Sequence, residues 1–193
     1  MISYYSQIVI LSIVQGISEF IPVSSSAHLL VMSNLSNFNF SSLEIDVSLH
    51  LGSLIAILIY FRKELITIFK NKKLLYLIIF GSIPLIIIGY VLHSLGIVYL
   101  FRNIKVIAWT TLIFGILLYV SDKKDTTKKF EDNLNTKNII LIGLFQAIAI
   151  IPGISRSGAT ISTSVLLGVN KEKAAKFSFL MVVPLILGKM ASD

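Results

Sequence analysis

From Leu74 to Leu92 the chain runs without a single charged side chain, and from Ile104 to Val120 it carries only Lys105. A helix rises about 1.5 Å per residue, so runs of this length cross, or nearly cross, the roughly 30 Å hydrocarbon layer of a bilayer. A third block, Val47–Phe61, is shorter and needs residues before Val47 to complete a crossing. Its far end, Tyr60, Phe61 and Arg62, has the character of an interfacial anchor. Composition agrees, with 55% hydrophobic and 14% charged residues, against about 25% charged in an ordinary soluble domain. The pattern predicts an all-α polytopic membrane protein with one membrane domain over residues 1–193.

A net charge of +7 in a soluble protein would point to nucleic acid. Here the basic side chains fall in short segments between apolar blocks, where they set orientation, so the expected partner is membrane lipid and not nucleic acid. Arg62–Lys73, Ser121–Asn138 and Asn170–Lys176 hold most of them, whereas Ser33–Asp46 holds none. With the three basic segments in the cytoplasm, every element alternates sides consistently. Only Arg102 and Lys105 are discordant. The absence of cysteine excludes disulfides and thiolate metal sites. The first Lys or Arg is Arg62, so the basic n-region of a cleavable signal peptide is missing.

Two further apolar stretches are interrupted. Ile8–Ile21 runs into Pro22 and then Ser24, Ser25 and Ser26. Ile139–Ile151 runs into Pro152 and Gly153, then Ser155, Arg156 and Ser157. Each is too short to span, and irregular backbone at membrane depth survives only inside protein or beside a wet cavity. Both are therefore expected to be re-entrant helical hairpins. Their broken sequences resemble each other, and three spans separate them, which inverts the second copy. The expected architecture is thus a pair of inverted-topology repeats, each a re-entrant hairpin plus transmembrane helices. Repeat one covers about 1–120 and repeat two about 138–193, the second expected to be C-terminally truncated. Interrupted helices at matching places in inverted halves point to a binding site where they meet.

The chemistry-bearing residues lie at these two breaks. Gln15 and Glu19, four apart, share one helix face. A carboxylate in an apolar hairpin is a functional candidate, and His28 adds an imidazole nearby. Ser24–Ser26 suit a helix start whose free N–H groups accept phosphate. At the second break, Gly153 and Gly158 permit close backbone approach. Arg156 costs about 2.5–3.5 kcal/mol at the membrane centre on insertion scales. Its forked donors match phosphate oxygens, and a structural ion pair with Glu19 is the alternative reading.

Gln15 through Ser25, with Gln in the first place, then Glu19 and Phe-x-Pro-Val-Ser-Ser, resembles the glutamate-rich motif of the undecaprenyl-diphosphate phosphatase family, the bacitracin-resistance type. Pro152–Thr160 resembles that family's second motif, Pro-Gly-x-Ser-Arg-Ser-x-x-Thr. Leu51-Gly52-Ser53 and Phe177-Ser-Phe-Leu also match. The resemblance implies hydrolysis of undecaprenyl diphosphate to the monophosphate carrier and inorganic phosphate. That reaction recycles the carrier for peptidoglycan synthesis and confers bacitracin resistance. The implied location is the bacterial inner membrane, with the site facing the periplasmic side. The resemblance makes Glu19, Ser25, His28 and Arg156 the catalytic positions.

Ser24, Ser26, Gly153, Ser155, Arg156, Ser157 and Thr160 are expected to bind phosphate. A divalent cation, Mg²⁺ or Ca²⁺, is expected at Gln15 and Glu19. Ser25 is the first choice of nucleophile with His28 as base, and direct attack by His28 is the rival. A polyprenyl-phosphate transporter, or an inactive truncated homologue, are the alternative functions.

Overall fold

The computed structural model describes residues 4–35, 43–126, 135–182 and 184. Among these, regular structure is helical: α1 (Tyr4–Phe20), α2 (Ser25–Leu35), α3 (Leu43–Tyr60), α4 (Arg62–Lys70), α5 (Lys72–Ser94), α6 (Ile97–Leu100), α7 (Ile104–Asp122), α8 (Thr136–Ile148), α9 (Arg156–Leu166) and α10 (Lys171–Leu180). Asparagine starts most of the later helices. Asn71, Asn103, Asn135 and Asn170 each accept a backbone N–H from the first turn of α5, α7, α8 and α10. These caps supply the acceptor that a helix start lacks.

α5 and α7 are long and apolar enough to cross a membrane, and only 22% and 11% of their apolar windows are buried inside the protein. A soluble core helix would be buried. These present Ile79, Ile83, Ile87, Trp109, Leu112, Ile113 and Ile116 outward, as a lipid-facing helix does. α3 begins at Leu43, upstream of the apolar block, as a short block requires. Its apolar part, Ser48–Tyr60, still falls short of a full crossing. The basic segment after it is not a loop. Arg62–Lys70 forms α4, with Ile68 buried and Ile66 and Lys70 exposed.

α1 and α2 pack on one another across a short turn, and so do α8 and α9. At 11 residues, α2 and α9 are each roughly 16 Å long, about half the hydrocarbon thickness. The main apolar cluster joins α5, α8, α9 and α10 through Leu77, Ile78, Ile139, Ile142, Val165, Phe177 and Met181. α5 and α8 approach closely at Gly143, where an added Cβ would collide with the Gly81 carbonyl and the Pro84 ring. Without a hydrophobic drive between helices in lipid, such close backbone packing is what holds them together.

The three basic segments meet at one end. Lys176 bonds Glu64 at 3.1 Å, Lys171 pairs with Asp122 at 2.8 Å, and Lys124 donates to the Leu166 carbonyl at 2.6 Å. The last contact ties the C-terminus of α9 to that basic end.

Candidate active site

The two helix breaks meet. The Pro22 carbonyl lies 3.1 Å from where a Cβ on Gly158 would sit. Arg156 Nη2 donates to Glu19 Oε1 at 3.0 Å across 137 residues of sequence. Each break is built from the same parts. Ser24 Oγ accepts from Ala27 N at 3.4 Å, and Ser155 Oγ accepts from Gly158 N at 3.1 Å. The Ser24 and Ser26 hydroxyls are 3.2 Å apart, and those of Ser155 and Ser157 are 3.1 Å apart. Two capped helix starts thus converge, each bringing N–H groups and the positive end of a helix dipole.

α7 fixes the second break. Thr110 Oγ1 donates to the Pro152 carbonyl at 2.7 Å, and Thr111 Oγ1 to the Gly153 carbonyl at 3.2 Å. These are carbonyls that the broken helix cannot satisfy itself. Gly153 has φ +93°, and a Cβ there would strike Thr110 Oγ1 and the Ile107 backbone. Only glycine fits.

A cavity of about 180 Å³ opens at the junction. Glu19, Ser24, Ser25, Ser26, Ser155, Arg156 and Ser157 line it, with His50 from α3 and Val182. Glu19 is nearly covered, its side chain 9% exposed. Its Oε1 takes the Arg156 donor. Its Oε2 accepts the Ser25 hydroxyl at 2.8 Å and Gln15 Nε2 at 2.9 Å. Arg156 Nη1 is buried and has no hydrogen-bond partner among the described residues. A buried cationic donor without an acceptor is costly and calls for an anion.

Other expected site residues lie elsewhere. His28 sits one turn into α2, and its ring Nδ1 is 2.7 Å from the Ser24 carbonyl four residues back. That bond turns the ring onto the wall of a second cavity of about 830 Å³, also lined by Val14, Val31, Met32, Ile107, Leu112, Phe114, Leu118 and Gly153. The two cavities share Val23, Ser24 and Ser155. Thr160 is fully buried and donates from Oγ1 to Gln146 Oε1 or the Arg156 carbonyl, beneath the first cavity. Gln15 lies under Glu19 and also reaches Ser53 Oγ at 3.5 Å. His50 was not singled out from the sequence, because it belongs to neither motif. Its signal was an imidazole inside an apolar helix.

No group of three His, Asp or Glu side chains gathers among the described residues, so these residues alone offer no complete cation cage. Glu19 and the buried, unpartnered Gln15 Oε1 are hard oxygen donors. They fit a cation that also takes phosphate oxygens, which is how Mg²⁺ is commonly held.

Residues 8–193 match the family described as bacitracin resistance protein BacA. The chain belongs to the BacA family. Among curated BacA-like relatives, the undecaprenyl-diphosphatase of Pelagibacter ubique (strain HTCC1062) is 56% identical over 189 residues, covering 97% of this chain and 74% of the relative. Undecaprenyl-diphosphatase 1 of Pseudoalteromonas translucida (strain TAC 125) is 45% identical over 193 residues, covering 93% and 72%. Membership in the BacA family accords with the outward-facing apolar helices of a membrane protein.

Proposed function

We propose that this chain hydrolyses undecaprenyl diphosphate to undecaprenyl phosphate and inorganic phosphate. The reaction recycles the lipid carrier for peptidoglycan synthesis and confers bacitracin resistance. The observation that carries the reading is Arg156, its Nη1 buried without a partner among the described residues, on the wall of a cavity ringed by serine hydroxyls and next to a larger apolar cavity. A phosphate group in the first and a prenyl chain in the second match the two ends of such a lipid.

Arg156 donates from Nη1 to the terminal phosphate while Nη2 holds Glu19, and the helix starts at Ser24 and Ser155 add N–H donors where charge develops. Ser25 Oγ attacks the terminal phosphorus. The new Oγ–P bond forms as the P–O bond to the bridging oxygen breaks, and the lipid monophosphate leaves. The Ser25 proton passes to Glu19 Oε2, which already accepts it as a hydrogen bond. Glu19 thus takes the part of base that sequence reasoning gave to His28. Glu19 passes the serine proton to the departing lipid monophosphate, and water then cleaves the phosphoserine, Glu19 taking the water's proton and returning it to Ser25 Oγ as inorganic phosphate leaves. Glu19 and Gln15 would hold a divalent cation, Mg²⁺ or Ca²⁺, which would supply charge neutralisation.

The matched caps and serine pairs support an inverted pair of repeats. α9 runs roughly 15 Å from Arg156 to Leu166 at the basic end, which supports a site near mid-membrane. With the basic end in the cytoplasm, the site opens to the periplasmic side of the inner membrane.

Purified chain given undecaprenyl diphosphate should release inorganic phosphate. Ser25→Ala should lose at least about a hundredfold in kcat with lipid binding retained, as for a group acting in the transition state. Tight lipid binding with no phosphate release would replace this reading with that of a carrier.

A further inference from the structure

His50 is the polar residue on the phosphate cavity's wall, among those described, that neither motif contains. Its Nε2 stands 3.7 Å from Glu19 Oε2, beyond hydrogen-bonding reach. Arg156 Nη2 approaches the other carboxylate oxygen, Oε1. The two nitrogens therefore approach different oxygens of the Glu19 carboxylate. The His50 side chain is 31% exposed where Glu19 is 9%, and it lines the cavity beside Glu19. Its position is set from below, because α3 packs on α1 and Ser53, one turn on, reaches Gln15.

We propose that His50 is a phosphate-contacting residue, donating a ring N–H to an oxygen of the diphosphate on the side away from Arg156. The inference rests on the cavity being the diphosphate site. Donors from α3, α9 and the start of α2 then hold a tetrahedral group from three directions, which fixes the line along which Ser25 attacks. The role needs an N–H of the right reach and no positive charge. Glutamine can fill it, asparagine is too short, and leucine has no donor.

The test measures kcat and KM for undecaprenyl diphosphate, together with the inhibition constant for inorganic phosphate. It uses the whole chain in lipid nanodiscs and the variants His50→Gln, His50→Asn and His50→Leu. His50→Gln should stay close to the parent. His50→Asn and His50→Leu should raise KM and the phosphate inhibition constant roughly tenfold or more, the usual scale for losing a hydrogen bond to a charged group. Parent-like values in His50→Leu, or equal losses in His50→Gln and His50→Leu, overturn the proposal. Should His50→Leu fail to fold, His50→Asn carries the same comparison. Direct titration of each protein with inorganic phosphate reads His50 independently of turnover. Absence of turnover in the parent, by contrast, counts against the proposed function.

Discussion

Arg156 is where a single side chain has the largest consequence. One arm is tied to Glu19 and the other is buried without an acceptor. Lysine keeps the charge but has no fork to serve both positions. Arg156→Lys should therefore lower kcat/KM by roughly 10- to 100-fold, the scale of one or two hydrogen bonds to a charged group. Expression and thermal unfolding should stay near the parent's. Near-normal turnover would make Arg156 a structural residue only. That Arg156, Glu19 and Ser25 would meet was legible in the sequence, because polar groups beside proline in apolar runs have few structural excuses. The environment of His28 was not, since the ring's bond to Ser24 four residues back depends on rotamer and helix register. His50 was equally hidden, as nothing local links α3 to Glu19.

At the scale of elements, the two breaks were readable from Pro22, Pro152 and the serines after them. What holds the second one in place was not. Thr110 and Thr111 come from a helix that reads as a plain span, and their hydroxyls grip carbonyls some forty residues away. Thr110→Val keeps the shape and removes the donor to Pro152, leaving that carbonyl unsatisfied at a cost of about 1–3 kcal/mol. Melting temperature and activity should fall together, and Thr110→Ser should restore much of both. Equal stability of the valine and serine variants would show the contact to be incidental. α4 was missed for a different reason. Its basic residues disguise an amphipathic pattern whose buried position, Ile68, is visible only once α5 and α10 are packed beside it.

For the molecule as a whole, the gathering of basic segments at one end makes a topological prediction. The chain has no cysteine, so single introduced thiols report cleanly. Lys63→Cys and Lys173→Cys should react with a membrane-impermeant thiol reagent from the cytoplasmic face. Ser94→Cys, at the far end of α5, should react from the opposite face. Labelling of all three from one side would dismantle the proposed orientation. The Glu19–Arg156 contact also has a bearing on how the protein is made. Its partners lie 137 residues apart. At ribosomal speeds of roughly 5–20 residues per second, the second follows the first by about 7 to 27 seconds. Throughout that interval the first hairpin holds a carboxylate with its cationic partner still unmade. An unpaired charge in an apolar hairpin resists burial. The first half must therefore remain protonated, hydrated or sheltered by the insertion machinery until Arg156 arrives, and the second hairpin completes the first as it enters.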